Sequence, residues 1–444
     1  MIEFRAIGGF GEIGRNMCAV RVDDSVVIFD MGLHMPNYIK LNEEEIGEVV
    51  KTSERVLKRA DAVPHDEFIK DWRDNVVAIV VSHAHLDHLG AVPYLANKYE
   101  CPVFCSGFTA AVLKSICRDE KISLQNQIIP LKPGKVVSLS EDLSLEFVHV
   151  THSCPGTVLG VLHTKYGFVV YGNDYKLDDH PVFGKKPDYA RLKQLGKKGV
   201  ALLIQDCLYA SREMKTPSEQ VAKDMLRDVL LDVDNKGKAV VVTTFASHIV
   251  RLKTIAELAR QMHRKPVFLS RSIAKYCGAA RDCGFFDLFK LAEIVGFAKK
   301  IKKKLRDVMK NKGRFLLVVS GHQGEPKSVL NKMITGVFDW SFDSGDQVVF
   351  SCFVIPADIN RQNRAEMEDK LKELNVRIFK DVHVSGHNSR EDLRDVVNML
   401  KPKHIVPAHG EEPMMVSFRE LCEELGYEED KDFHSVLNGS GLLV

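Results

Sequence analysis

The sequence has 444 residues, with 62 Lys and Arg against 60 Asp and Glu and a formal net charge of +2, which excludes a protein that holds nucleic acid by bulk basic charge. At 45% hydrophobic and 27% charged residues it is a globular chain with material for two or three domains. No run approaches the ~20 apolar residues of a membrane span, MIEFRAIGGFGEIG is no secretory signal, and ten scattered cysteines without a CxxC pair predict reduced thiols in a cytoplasmic protein.

In chain order, two β-rich runs come first, Cys18–Val22 and Ser25–Phe29, parted by Asp23-Asp24 as in a hairpin. From Asn42 to about Arg73 the sequence turns charged and helical. Val76–Val81 is a buried-strand run that opens into the His-rich Ser82–His88, and Leu89–Lys98 reads as a helix. Strands and helices then alternate through residue 205, with LSLEFVHV, FVVYGND and ALLIQD as apolar strands. From about Ser211 to Pro356, PSEQVAKDMLRDVLLDV and IVRLKTIAELARQMHR read as helices, and KAVVVTTF, KPVFLS, RFLLVVSG and DQVVFSCF as strands. They predict a second, largely parallel α/β unit. The alternation resumes in NVRIFKDVHVSGH, REDLRDVVNMLKP and HIVPAHGEE. The chain is α/β, with its polar chemistry at the ends of apolar strands.

The strongest signal is Ser82-His83-Ala84-His85-Leu86-Asp87-His88. A divalent metal needs several N or O donors converging at about 2.0–2.2 Å. On an extended strand end His83 and His85 would point to one side and share an ion, while Asp87 and His88 would face a second. Two ions ~3.5–4 Å apart form a hydrolytic clamp. Further donors stand just beyond other apolar runs: Asp30 after VVIF, His152 after LEFVHV, Asp174 after FVVYGN and His409 after HIV.

In order, Asp30, His83–His88, His152, Asp174 and His409 resemble the five motifs of the metallo-β-lactamase fold, an αββα sandwich. The resemblance implies that His83, His85 and His152 hold one zinc, that Asp87, His88 and His409 hold the other, that Asp174 bridges them, and that Asp30 orients a ligand. Asp174 and His409 stand more than half the chain apart, so a domain is inserted between them. It resembles the β-CASP domain of nucleic-acid-processing members, with Asp206, His248 and His387 at its motif positions. The expected division is residues 1–206 and 366–444 for the metallo-β-lactamase domain and 207–365 for the insertion. GEIGRNM, SHAHLDHLGAVP, TTFASH, GHQGEP, HVSGH and PAHGE together resemble the ribonuclease J family, in its short archaeal form without a further C-terminal domain. Departures are Asp206-Cys207-Leu208, where relatives carry Asp-Ser-Thr, His322 where a Ser is common, and a long Tyr38–Asp71 segment.

The resemblance implies a two-zinc 5′→3′ exoribonuclease that acts on single-stranded RNA with a 5′-monophosphate, with manganese or magnesium able to replace zinc, and a homodimer or larger assembly. Asp87, Asp206 and His387 would be catalytic, with either Asp206 or His387 protonating the 3′-oxygen leaving group. Ser247, His248, Ser385, Gly386 and His387 would bind the terminal phosphate. The alternatives are an endonuclease of the pre-mRNA 3′-end cleavage type, a non-catalytic RNA-binding scaffold, and a lactonase or thioesterase, which the insertion disfavours. Gly9-Phe10-Gly11-Glu12-Ile13-Gly14 matches GxGxxG, but strand-like residues follow it where a dinucleotide fingerprint needs a helix. A Gly-rich loop beside the metal site is the expectation. The basic run Lys299, Lys300, Lys302, Lys303, Lys304, Arg306, Lys310, Lys312 and Arg314 is either a solvated face or a contact for RNA phosphates. Acidic runs at Glu43–Glu45 and Glu423–Asp430 offset it.

Overall fold

Asp23 has a left-handed backbone (φ 51°), which suits the tight two-residue turn between Met17–Val22 and Ser25–Phe29. The two strands pair antiparallel, and the predicted hairpin forms. A computed structural model describes residues 1–44, 52–355 and 358–444 of the chain. These fall into two units, Met1–Asp179, Lys185–Thr216 and Ser385–Val444 in the first, and His180–Gly184 with Pro217–Val384 in the second. The long segment of the second unit thus begins and ends later than the 207–365 insertion, and a short earlier piece, His180–Gly184, joins it. Strand Arg377–Phe379 lies beyond residue 365 yet pairs with Gln347–Phe350 in the second unit's sheet. Tyr209 forms a bridge with Ser389 inside the first unit.

The first unit stacks two sheets. One has the order Gly441–Leu443, Ile2–Gly8, Met17–Val22, Ser25–Phe29, Val76–Val80, Val103–Cys105, Ile128–Pro130. The other runs His404–Ala408, Val200–Asp206, Gly167–Gly172, Val158–Thr164, Leu143–His149, Val136–Ser140. Phe4, Val20, Phe29 and Val80 of the first meet Phe147, Leu162, Val169 and Ile204 of the second in one buried core. On the second sheet's other face, Val161, Val170, Leu203 and Ile405 pack against Leu192, Leu195, Val396, Leu400 and Phe418 of helices Tyr189–Lys198, Arg390–Leu400 and Glu412–Glu424. This is the αββα sandwich of the metallo-β-lactamase fold.

Two predicted helices are broken. Within Asn42–Arg73 the described helices are the end of Met35–Glu44, then Glu54–Arg59 and the 3₁₀ segment Asp66–Asn75, while residues 45–51, which include Glu45 of the acidic run, lie outside the described residues. Asp61 in the left-handed region and Pro64 end the middle helix. Leu89–Lys98 is split into Leu86–Leu89, Val92–Leu95 and Ala96–Lys98 around Gly90 and Pro93. Gly90 lies so close to Leu33 that a Cβ would meet its side chain at 2.7 Å, so the short turns fit against a neighbouring loop.

The second unit is a parallel six-stranded sheet in the order Glu293–Val295, Lys265–Leu269, Phe315–Val319, Val240–Thr243, Gln347–Phe350, Arg377–Phe379. Its inner strands are largely apolar and buried, as in VVVT and FLLVV, while the edge strands Glu293–Val295 and Arg377–Phe379 each open on a charge. Among the described residues no helix is long and apolar enough to cross a membrane.

Candidate metal centre

The site lies where strands of both sheets of the first unit end. Asp30 follows Ser25–Phe29, Ser82 and His83 follow Val76–Val80, His152 follows Leu143–His149, Asp174 follows Gly167–Gly172, Asp206 ends Val200–Asp206, and His409 follows His404–Ala408. Asp30, Asp174 and His409 have left-handed backbones, φ 56°, 54° and 54°. That conformation is uncommon for a residue with a side chain and is held only when surrounding structure fixes it. Around Asp30 the fixing is visible: its N–H donates to Val80 O at 2.8 Å, and its carboxylate takes the Ser82 N–H at 2.7 Å and the Ser82 hydroxyl at 2.8 Å. His85 precedes the short helix Leu86–Leu89, which carries Asp87 and His88, so a strand end and a helical turn together fan out the motif's donors.

Two sets of donors converge, His83, His85, His152 and Asp174 in one, and Asp87, His88, Asp174 and His409 in the other, with each set's ligand atoms within 4.8 Å of one another. Asp174 belongs to both. Its Oδ1 and the Nε2 of His83 are buried without a hydrogen-bond partner. Burying such groups unpaired is costly, and a divalent cation is the partner both lack. The donors are all nitrogen or carboxylate oxygen, the set that suits zinc. The residues present fit metal.

Orientation and protonation support the same use. His88 Nδ1–H donates to Asp30 Oδ2 at 2.7 Å, which turns Nε2 toward the donor set, 3.1 Å from Asp174 Oδ2. His152 Nδ1–H donates to the Gly386 carbonyl at 2.8 Å, leaving its Nε2 toward His85. Burial, with neighbouring imidazoles adding to it, pushes His83 and His152 well below the usual imidazole range. Burial also takes His85 down to about 4 against the pull of Asp87 and Asp174. Neutral imidazoles are the ligand form; His88 differs, since burial lowers it but Asp174, Asp87 and Asp30 outweigh burial and raise it well above the usual imidazole range, so an ion held there would take the place of its Nε2 proton. Burial works to raise Asp174, but His409, His88 and His387 outweigh it and hold the carboxyl well below its ordinary range.

A third grouping joins Asp174, Asp206 and His387. His387 Nδ1–H donates to Asp206 Oδ2 at 2.7 Å, and its Nε2 lies 3.8 Å from Asp174 Oδ2. Burial lowers His387, but the Asp174 and Asp206 carboxylates outweigh it and raise it to about 9. The other Asp206 oxygen accepts the Leu208 N–H at 2.8 Å. Cys207, the departure at this motif, is fully buried, and burial with Asp206 beside it holds its thiol well above the ordinary range. Ser385 Oγ accepts the His387 N–H at 3.0 Å.

Ser247 and His248 belong to the second unit. There His248 Nε2 lies 3.4 Å from Glu219, which also receives the buried Arg251 guanidinium. His322, the other departure, packs on Phe245 with ring centroids 4.4 Å apart. Much of the basic run is already paired. Lys304 meets Glu293, Lys302 and Arg306 meet Asp339, Lys310 meets Asp307, and Lys312 is buried against Asp343 and Asp346. Among the described residues Lys299, Lys300 and Lys303 make no ion pair.

The glycine loop sits beside the centre as expected. A Cβ on Gly9 would meet Asn16 Oδ1 at 2.5 Å, and one on Gly32 would meet the Asp87 carbonyl oxygen at 1.6 Å. His409 N–H donates to Gly9 O at 2.7 Å. Sequence reasoning did not single out Asn16, Ser82, Tyr171 or Asn173, although the first two lie inside its motifs GEIGRNM and SHAHLDHLGAVP.

A sandwich with paired donor sets at its strand ends, joined to a parallel α/β insertion, defines a metallo-hydrolase of the β-lactamase superfamily with a β-CASP domain. The matches to protein families agree: the beta-lactamase superfamily domain over residues 59–182, the ribonuclease J beta-CASP domain over 237–368, and the Zn-dependent metallo-hydrolase RNA specificity domain over 373–431. Ribonuclease J of Methanocaldococcus jannaschii is 41% identical over 443 residues, covering 99% of this chain and 98% of that protein. Ribonuclease J of Pyrococcus abyssi is also 41% identical, covering 99% and 96%. That of Thermus thermophilus is 29% identical, covering 97% of this chain and 72% of its own length. A solved structure of a protein of unknown function from Enterococcus faecalis shares the fold, with TM-score 0.68, 18% identity and full coverage of both chains. The chain belongs to the ribonuclease J family. Its family and domains make it a metal-dependent ribonuclease.

Proposed function

We propose that the chain is a two-zinc exoribonuclease that degrades single-stranded RNA 5′→3′ from monophosphorylated ends. The observation that carries the reading is the pair of donor sets sharing Asp174 beside the Asp206–His387 pair. Zinc held there would supply Lewis-acid stabilisation of the phosphoryl oxygens and an activated water at neutral pH, and manganese or magnesium could serve in its place. His83, His85 and His152 would hold one ion, Asp87, His88 and His409 the other, and Asp174 both.

The chain's own residues supply the rest. Asp30 keeps the proton of His88 on Nδ1, and the Gly386 carbonyl does the same for His152. Asp206 holds the Nδ1–H of His387, so His387 presents its Nε2–H toward the Asp174 side of the site. We assign that proton to the 3′-oxygen leaving group, with Asp206 as the residue that stabilises the cation. Recognition of the terminal phosphate is assigned to Ser385, Gly386 and His387 on family resemblance; Ser247 and His248, which the same resemblance gives, belong to the second unit. The same resemblance supports a cytoplasmic homodimer, which light scattering on the purified protein would test.

The test is digestion of 5′-labelled RNA carrying either a monophosphate or a triphosphate, with zinc and manganese compared. Labelled mononucleotide released from the monophosphate substrate alone supports the reading. Internal fragments from both substrates, with no mononucleotide, would overturn it in favour of an endonuclease.

A further inference from the structure

Beneath the donor sets lies a hydrogen-bonded circuit of buried side chains. Asp30 Oδ2 accepts from His88 Nδ1 at 2.7 Å and from the Tyr171 hydroxyl at 2.8 Å. Tyr171 Oη in turn accepts from Asn173 Nδ2 at 3.0 Å, and that same Nδ2 donates to Asn16 Oδ1 at 3.1 Å. Asn16 Nδ2 donates to the Asp87 carbonyl at 3.1 Å and lies 3.0 Å from His88 Nε2 and 2.8 Å from His409 Nδ1. Asp30, His88, Tyr171, Asn173 and Asn16 are each at most 1% exposed. The circuit therefore leaves His88 at Nδ1 and comes back beside its Nε2 through Asn16, which is anchored on the Asp87 carbonyl and packs between the facing nitrogens of His88 and His409.

Its members come from separate parts of the first unit: the loop before Met17–Val22, the end of Ser25–Phe29, the short helix Leu86–Leu89, and the end of Gly167–Gly172. A buried polar network of this kind is costly unless satisfied, and it fixes one arrangement when it is. A mere staple between sheets could end on any group. This one branches at Asp30, where the Ser82 hydroxyl donates to Oδ2 at 2.8 Å and lies 3.0 Å from His83 Nδ1, whereas its arm through Tyr171, Asn173 and Asn16 ends on Asp87, His88 and His409, all in one donor set. No hydrogen bond of Tyr171, Asn173 or Asn16 reaches His83, His85 or His152.

We propose that Tyr171, Asn173 and Asn16 are positioning residues chiefly for one ion, the one that Asp87, His88, Asp174 and His409 would hold, because their contacts with that set are direct or pass through Asp30 alone, while the path to His83 needs Ser82 as well. Tyr171 and Asp30 fix the tautomer and tilt of His88, and Asn16 sets the spacing between His88 and His409. Outer partners of metal-bound imidazoles typically carry about 10–100-fold in affinity. The inference rests on the two-ion reading above.

Tyr171→Phe is the cleanest probe, because it removes one hydroxyl while its ring keeps its stack on Phe29 at 4.8 Å. Tyr175→Phe is its control: it also deletes a buried hydroxyl, one that donates to Gln205 at 2.8 Å outside the circuit. Zinc binding to the full chain is measured by competition with a chromophoric chelator, and the metal-free proteins are melted in parallel. The expected result is two binding constants in wild type and in Tyr175→Phe. In Tyr171→Phe one constant weakens about tenfold and the other stays within twofold, with metal-free melting lowered to a similar degree in both variants. Asn16→Ala, which touches two donors, should weaken the same constant at least as much, and decides the matter if Tyr171→Phe does not fold. Unchanged constants, or two constants that fall together, would overturn the inference while leaving the two-ion reading standing. Fewer than two zinc ions in wild type would remove that reading itself.

Discussion

Gly386→Ala adds one methyl group beside a proposed metal ligand. Its Cβ would lie 2.6 Å from His152 Nδ1 and 2.8 Å from its Cε1. Ordinary contacts of this kind sit near 3.5 Å, so the ring must retreat by roughly 0.8 Å. It has little room, because it packs edge-on against His83, His85 and His387, with centroids at 4.9, 4.8 and 5.3 Å. The backbone of Gly386 is not in the left-handed region, so alanine's φ is permitted there, and besides the ring the nearest atom the new methyl meets is the Ser153 nitrogen, at 3.1 Å. A displacement approaching 1 Å in a reacting constellation costs about 100-fold, or about 2.7 kcal/mol. RNA turnover should fall by that order, and the zinc constant of the His83–His85–His152 set should weaken about 10–100-fold. Gly278→Ala, whose Cβ meets nothing within 4 Å, should change neither. Wild-type turnover and zinc affinity in Gly386→Ala would refute the placement of His152 as a ligand held by this turn.

The remaining predictions concern proton transfer, acid stability and RNA contact. His387→Gln and Asp206→Asn should each lower cleavage by about 100-fold or more with both zinc ions retained, as read by single-turnover kinetics and metal analysis; loss of metal instead would place the pair among the ligands. Glu146 is buried and bonded to His163 and Arg191, and although burial raises it these partners hold it down to about 2. A carboxylate depressed on folding stabilises the native state above its unfolded value and loses that contribution as pH falls through about 4.5 toward 2. Glu146→Gln should therefore cost on the order of 2 kcal/mol at pH 7, discounted for the partial exposure of its partners, and progressively less in urea melts at lower pH; a constant difference from pH 7 to pH 3 would contradict this. Replacing Lys299, Lys300 and Lys303 together by Ala should lower the slope of log affinity against log salt for single-stranded RNA by roughly 2 if they meet phosphates, and leave it unchanged if they form a solvated face.

The donors were legible because their chemistry is local. His83 to His88 are contiguous, and Asp30, His152, Asp174 and His409 each end an apolar run. What positions them was not legible. Asn16, Tyr171 and Asn173 meet only when strands of two sheets come together, and an Asn in a loop or a Tyr in a strand carries no periodic signal. The left-handed turns at Asp30, Asp174 and His409 also escape propensity, since tertiary contacts impose them. The same limit explains the broken helices: Pro64 and Gly90 stand in charged or apolar text that reads as helical, and packing decides how the chain uses them. The later end of the second unit depends on the pairing of Arg377–Phe379 with Gln347–Phe350, a long-range match invisible in either strand alone.

Asp174 is the one residue shared by both donor sets, and so the ligand proposed to be common to two ions. The direct measurement is the zinc content of wild type and of Asp174→Ala, taken by elemental analysis beside RNA binding and cleavage. Two zinc ions per wild-type chain are predicted, with both lost or loosened in Asp174→Ala, cleavage abolished and RNA binding kept. Full zinc occupancy in the variant, with cleavage near the wild-type rate, would contradict it.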